Sequence, residues 1–314
     1  MFSDLIKKIR DEKGYTQREF VAKLQLASRE FANVDHVTIS RWERGVTAPN
    51  SAKAIRILRC FMLDIAPFIK SLEATASKQV EFFLFNRFER NLQKHIFAAL
   101  EYDIPTKSTE IKHDNLFFQA NDPILEKIKS FHKRWNKEDF MKMRPLDLFL
   151  YQEEGKLQGY RLVDLGNEDQ MLGFSLGMLF KNEVLSEQIT HNNANVDFSL
   201  ASSYTEVSTF ALYIISGNIS SAFVFIYLWK TRIQYLISHS NITEIYCNVY
   251  HSTTLNYLEQ LGFVVVATKN EIKMGEIKIG NRYYDGCIMK VDTSIFLTRK
   301  EVISLFNSNY PRDH

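Results

Sequence analysis

Cysteine is scarce in this 314-residue chain, and the three present, Cys60, Cys247 and Cys287, lie far apart with no CxxC or Cys/His spacing around them. That excludes a disulfide framework and leaves no sequence basis for a zinc site or a redox pair, so a reducing, cytoplasmic setting is expected. Glycine and proline are also few, at 12 and 6, and 24% of residues are charged, which excludes a collagen-like, fibrous or disordered chain. A large net charge of either sign is missing, the total being +2. The first residues lack an apolar run of signal-peptide length and place Asp4 early, as the opening turn of a helix would. The longest stretch without charge runs from Val207 to Trp229, enough in length to cross a bilayer of about 30 Å. Ser216, Gly217 and Asn218 interrupt it, so a buried strand turning into a buried helix is the reading adopted, without a membrane span.

What is present is a hydrophobic fraction of 45%, enough for a sizeable core, in a chain long enough for two or three domains. The positive charge is concentrated: residues 1–70 carry 13 Lys/Arg against 8 Asp/Glu, so the rest of the chain is slightly negative. Such a local surplus suits the counterion-release part of nucleic-acid affinity. In the same region Phe2, Leu5, Ile6 and Ile9 form the apolar stripe of a first helix ended by Gly14. Thr16 and Glu19 form a T-x-x-E capping box, predicting a helix from Gln17. Val37, Ile39 and Trp42 interleave with polar residues, predicting a helix from about Asp35 to Arg44 that buries Ile39 and Trp42 and turns His36, Ser40 and Arg41 outward. Gly45 suits a left-handed cap, Pro49 blocks continuation, and a further helix follows over Ala52–Phe61.

Arg10, Thr16-Gln17, the run Thr38-Ile39-Ser40-Arg41-Trp42-Glu43-Arg44-Gly45 and Pro49 resemble the XRE family of lambda-repressor/Cro-like helix-turn-helix domains, over about the first fifth of the chain. The resemblance implies a recognition helix in the major groove of double-stranded DNA, with base contacts from His36, Val37 and Arg41 and Ser40 nearby. Arg41 would grip guanine bidentately, and Val37 would touch a thymine methyl. It further implies a phosphate contact from Gln17 at a helix N-terminus, with Arg44 and Lys7 adding to it, and a structural pair of Arg10 with Glu43. A departure is the ten-residue separation Gln25–Val34, where such a turn ordinarily takes three or four residues. Either a second helix longer by about two turns or a short extra helix fits, followed by a cap at Asn33 or Asp35. Arg29 within it could reach the DNA backbone.

From Leu72 to Leu100 the pattern stays helical, with Phe82, Phe85, Phe88, Leu92 and Ile96 near a three-to-four repeat. This is either a dimer-forming connector or core filling between two domains. The rhythm fades from Asp103 to Lys112, and another helix runs from Pro123 to about Trp135. Beyond Pro145, the runs LDLFLYQ, GYRLVDL, MLGFSLGMLF, VDFSLAS and TFALYIIS look like strands. A helix over Ala222–Ser238, a strand at Glu244–Tyr250, a helix at Thr253–Leu261 and a strand pair ending near Leu297 complete a mixed α/β region. This order, with Tyr257-Leu258-Glu259-Gln260-Leu261-Gly262-Phe263 closing the second helix, resembles the GNAT acetyltransferase fold.

That family's acetyl-CoA loop carries an (R/Q)-x-x-G-x-(G/A) motif, whereas the corresponding residues here are Ser216-Gly217-Asn218-Ile219-Ser220-Ser221-Ala222. The position of its general-acid tyrosine falls on Leu258, and that of its usual asparagine on His251. The scaffold is therefore expected to lack acetyl transfer and to need no cofactor. A CoA-like or small-molecule effector could still bind at Ser220 and Ser221, with Tyr213, His251, Tyr257 and Glu206 as polar candidates.

The expected architecture is multidomain, α plus α/β: a helix-turn-helix bundle over 1–70, a helical connector over 71–140 and a GNAT-like mixed α/β domain over 141–314. The expected function is a homodimeric, sequence-specific transcriptional regulator without catalytic residues or metal. The alternatives are an acetyl-CoA-dependent N-acetyltransferase with a DNA-binding domain, and an antitoxin-like repressor.

Overall fold

The computed structural model describes residues 2–61, 64–72, 78–86, 111–134, 146–191, 194–219 and 221–307. The chain opens on helices α1 (Phe2–Glu12), α2 (Gln17–Ala27), α3 (His36–Glu43), α4 (Ser51–Cys60) and α5 (Ala66–Ser71). Side-chain caps set the starts. Thr16 and Glu19 exchange capping bonds ahead of α2, Asp35 accepts from the Thr38 amide at 2.7 Å ahead of α3, and Asn50 accepts from the Lys53 amide at 2.9 Å ahead of α4. Gly14 and Gly45 adopt φ of 67° and 68°, the left-handed geometry that stops α1 and α3 at little cost.

Between α2 and α3 the chain makes a short extra helix, a 3-10 turn over Arg29–Phe31 capped by Ser28, and Asp35 is the cap that follows. Gln25 Nε2 ties this segment down by donating to the Ala32 and Val34 carbonyls at 3.3 and 2.9 Å, while Phe31 and Val34 are buried.

Helix α6 (Lys78–Leu84) follows. Its buried aromatic is Phe83, whereas Phe82 and Phe85 are 65% and 49% exposed, so the inward stripe lies one residue off the predicted one. Phe88, Leu92 and Ile96 lie outside the described residues.

The rest is built on a seven-stranded sheet of β1 (Ile111–Asn115), β2 (Leu157–Asp164), β3 (Asn167–Lys181), β4 (Phe210–Ile219), β5 (Ile242–Val249), β6 (Val264–Thr268) and β10 (Cys287–Asp292). The order is β1-β2-β3-β4-β5-β10-β6, and a small sheet of β7 (Glu271–Ile272), β8 (Ile277–Ile279) and β9 (Arg282–Tyr284) sits between β6 and β10 in sequence. Every pairing is antiparallel except β4 with β5. A parallel pair needs a crossover, supplied by a 17-residue helix. The helices of this region are α7 (Ile124–Arg134), α8 (Leu148–Glu153), α9 (Asn182–His191), the crossover α10 (Ala222–Ser238), α11 (Ser252–Gln260), α12 (Thr293–Phe296) and α13 (Lys300–Asn307).

Two strand predictions and one loop prediction need correction. LDLFLYQ contains α8, whose start is fixed by Asp147 accepting from the Leu150 amide at 3.0 Å. VDFSLAS forms a 3-10 turn over Phe198–Leu200, capped by Asp197. Ser216–Ile219, where the resemblance implies a loop, continues β4, with Ser216, Gly217 and Asn218 paired to Leu176, Ser175 and Phe174 of β3. The local turn signal of Gly and Asn is overridden there by the ladder of a neighbouring strand. Val207–Trp229 is indeed a strand followed by a helix, and no described helix is long and apolar enough to cross a membrane.

One hydrophobic cluster runs without a break from the bundle, through Ile6, Phe20, Ile39 and Ile55, to the sheet face carrying Leu212 and Ile245 and on to Phe296. A second covers the opposite face, around Phe180, Tyr213 and Tyr246, closed by Leu185 of α9 and Ile128 of α7. The helical bundle is thus packed on one face of the α/β sheet.

Candidate functional site

Helix α3 buries Ile39 and Trp42 against α1 and α2 and leaves His36, Val37 and Arg41 exposed on its outer side, with Ser40 half-buried. Arg44 caps the helix and folds back, its Nε donating to the Ser40 carbonyl at 3.1 Å. Behind this face Arg10 Nε donates to Glu43 Oε1 at 2.6 Å, and Gln17 Nε2 donates to Glu43 Oε2 at 2.7 Å. Glu43 therefore fixes α1, α2 and α3 together, and its hydrogen bond holds the Arg10 guanidinium above its ordinary pKa. Gln17 is engaged by Glu43 in this state. The capping bonds of α2 use the Thr16 and Glu19 amides, leaving the first-turn amides of Gln17 and Arg18 without intrahelical acceptors, as at any helix start. Lys7 and Arg29 are exposed.

The bundle is fastened to the α/β region by two arginines of α4. Arg59 is 5% exposed and donates to the carbonyls of Leu236, His239, Ser240 and Ile242 at 2.6–3.2 Å, at the C-terminal end of α10 and the start of β5. A helix C-terminus presents orphan carbonyls and a partial negative charge, so a guanidinium there satisfies both. Arg56 bridges Glu30 of the inserted turn, at 2.6 Å, to Asp292, the cap of α12, at 3.2 Å. The ten-residue insertion thus contacts the α/β region through this bridge.

The second site is a cleft in the sheet. Parallel pairing of β4 with β5 runs from Phe210–Ile242 to Ile214–Cys247 and stops. Beyond it β4 stays on β3 and β5 stays on β10. Ile215 is an extra residue in β4, since Gly177 pairs with Ile214 and Leu176 with Ser216. A bulge of this kind bends its strand, and the two strands part. The gap has an internal volume of about 180 Å³. Phe225 and Trp229 of α10 and Tyr257 and Leu258 of α11 wall it. Phe83 enters from α6, its ring stacked on Tyr257 at 3.9 Å and 5.3 Å from Phe225.

Among the lining groups burial pushes the Cys247 thiol up to about 12 and raises the Tyr257 phenol, so neither is ionised near neutrality. His251 Nδ1 lies 2.9 Å from Glu276 Oε2 at the rim. Arg232 of α10 reaches into the same space, its Nη2 donating to Ser175 Oγ and its guanidinium 5.2 Å from the Trp229 ring. Among the described residues no carboxylate pairs with Arg232, and no group of side chains could hold a metal ion.

Of the residues singled out in sequence, His251 and Tyr257 line the cleft. Tyr213 does not: it is buried on the other face and donates to Asn248 Oδ1 at 2.9 Å. Ser221 caps α10, its Oγ accepting from the Val224 amide at 3.2 Å, and Glu206 is exposed on the segment ahead of β4, so neither lines the cleft. Ser220 lies outside the described residues. Arg59, Arg232, Asn248 and Phe83 escaped sequence reasoning. A lone arginine in an apolar helix is a recoverable signal for Arg232, since an unpaired cation facing a core demands a partner.

Residues 6–67 match the helix-turn-helix family, which supports DNA binding by this segment. No curated protein matches the chain in sequence. Among solved structures, the chain is similar to Arabidopsis thaliana NAA60 in complex with acetyl-CoA, at 14% identity over 58% of this chain and 98% of that one, TM-score 0.35. It is similar also to a probable acetyltransferase from Staphylococcus epidermidis, at 14% identity over 59% and 99%, TM-score 0.37. A third is a spermidine N-acetyltransferase from Vibrio cholerae in complex with CoA and spermine, at 14% identity over 60% and 98%, TM-score 0.34. These likenesses fall on the C-terminal, mixed α/β part of the chain.

Proposed function

We propose that this protein is a sequence-specific transcriptional regulator in which residues 1–70 read DNA and the α/β domain serves as a sensory or assembly module without acetyl transfer. The observation that carries this reading is the exposed outer face of α3, bearing His36, Val37 and Arg41, on a bundle held rigid from behind by Glu43. Arg41 would read guanine, Val37 a thymine methyl, and the N-terminus of α2 with Gln17 a phosphate, once DNA draws the amide from Glu43. Arg44 and Lys7 would add backbone contacts. A homodimer would set two such helices one DNA turn apart.

The non-catalytic reading of the α/β domain is supported by the cleft's chemistry. Leu258 stands at the position of the expected acid, the thiol and phenol within reach are held protonated, and Phe83 occupies part of the space. Phe83 belongs to the helix that follows the bundle in the chain, so an effector entering the cleft would act on the segment joined to the DNA-reading helices. Acetyl transfer is the competing reading, favoured by the parted strands and by the His251–Glu276 pair at the rim.

Selection of bound duplexes from a random pool tests the proposal: enrichment of a defined, two-fold symmetric sequence is expected, and an unenriched pool would contradict it. Calorimetry with acetyl-CoA separates the competing reading, since tight binding with thiol release on turnover would establish transfer.

A further inference from the structure

We propose that the cleft between β4 and β5 binds a small carboxylic acid with an aromatic or otherwise apolar body, its carboxylate held by Arg232; this rests on the sensory reading of that domain. A guanidinium partly withdrawn from water along an apolar wall is stabilised by an anion or by further acceptors beside it. Arg232 has neither among the described residues: its one hydrogen bond goes to the neutral Ser175 hydroxyl, and its other contact is the face of Trp229. Arg232 itself is half-buried, and its acceptor Ser175 on β3 is 3% exposed, so the guanidinium lines the cleft beside a buried hydroxyl.

A second observation is independent. Asn248 lines the same cleft from β5, and its Nδ2 is buried without a hydrogen-bond partner while its Oδ1 accepts from Tyr213. A buried donor left unpaired by the fold is open to an acceptor from a bound water or ligand. The acceptor oxygens of one anion meet both donors.

The charge count points to a carboxylate. Among the described lining residues Arg232 is the one permanent cation, matched by a monoanion, whereas a phosphate or pyrophosphate group would call for more positive charge. The body of the ligand is set by the walls. Phe225, Trp229, Leu228 and Tyr257 are apolar surfaces, and Phe83 is a wall contributed by a short helix outside the α/β sheet. An aromatic or alkyl group seated there takes over the contacts that the Phe83 ring makes with Tyr257.

Full-length protein is titrated with phenylacetate and with hexanoate, and in parallel with phenylacetamide and hexanamide, following intrinsic tryptophan fluorescence and heat. At least one acid is expected to bind saturably, with its amide weaker by roughly tenfold or more. Arg232→Gln is expected to abolish the acid-over-amide preference, and Arg232→Lys, which keeps the charge, to retain part of it. Circular dichroism confirms that both variants fold. Failure of both acids to saturate, or equal binding of acid and amide, overturns the assignment. Affinity for the selected duplex is measured on the same samples. Lost acid binding with intact DNA binding refutes the ligand class alone, whereas acid binding by a protein that ignores DNA refutes the regulator reading.

Discussion

Arg59→Met would show how firmly the helix-turn-helix bundle is joined to the α/β domain. Arg59 gives four hydrogen bonds to the carbonyls of Leu236, His239, Ser240 and Ile242, and burial pushes its guanidinium down to about 10. At about 1.5–3 kcal/mol for each bond from a charged donor, the four sum to roughly 6–12 kcal/mol. The desolvation of the guanidinium, which methionine does not suffer, offsets several of these. The remaining loss is about 3–5 kcal/mol, the range expected when a buried charged group is removed from its partners. Methionine keeps the length of the stem, so the change isolates the donors rather than a cavity. Urea denaturation of the full chain measures it, and amide exchange at the end of α10 locates it. A loss of under about 1 kcal/mol, with exchange near Ile242 unaltered, would refute the view that Arg59 joins the two parts.

Three further outcomes follow from the geometry. Glu43→Ala removes the acceptor that Arg10 and Gln17 share behind α3, leaving Arg10 its bonds to Tyr15 and Asp11, and is expected to destabilise the chain by about 2–4 kcal/mol in urea, more than Gln17→Ala alone. Phe83→Ala removes a buried ring stacked on Tyr257, so a loss of about 3–5 kcal/mol is expected by thermal or chemical unfolding, together with easier entry of small ligands to the cleft. Acid affects the two caps in a defined direction. Bonds from Thr38 and Thr16 hold the Asp35 and Glu19 carboxyls below their ordinary 3.8 and 4.5, so folding favours the ionised forms. Their contribution is present above the ordinary values and is lost as pH falls through the lowered ones. Unfolding midpoints from about pH 5 to pH 2 should therefore fall less steeply in the Asp35→Asn and Glu19→Gln double variant than in wild type.

The parts legible in the sequence are those governed by neighbours a few residues apart. Thr16 with Glu19, Gly45 after Trp42, and the apolar run from Ala222 to Ser238 each specify an element locally, and the corresponding helices stand where those signals place them. LDLFLYQ is ambiguous in the sequence because a short apolar run has no period long enough to separate strand from helix, and the deciding cue is the single cap Asp147. Ser216-Gly217-Asn218 carries turn chemistry but pairs with β3, a partner forty residues earlier in the chain. Helix α9 and strand β1 gave too weak a local pattern to be assigned at all. The same distinction separates the sites. The face of α3 is a local property of one helix. The cleft depends on a bulge at Ile215, on Phe83 arriving from another region and on Arg232 aligned with β3, none of which is encoded within a single window.

The central claim, that α3 reads DNA, is tested most directly by fluorescence anisotropy of the selected duplex with wild type and Arg41→Ala over a range of salt concentrations. Wild-type affinity should fall linearly with salt on logarithmic axes, and Arg41→Ala should lose about 1–3 kcal/mol, roughly 5- to 150-fold, with preference relaxed at one guanine. Salt-independent binding, or an Arg41→Ala variant with unchanged affinity and unchanged sequence preference, would contradict the account.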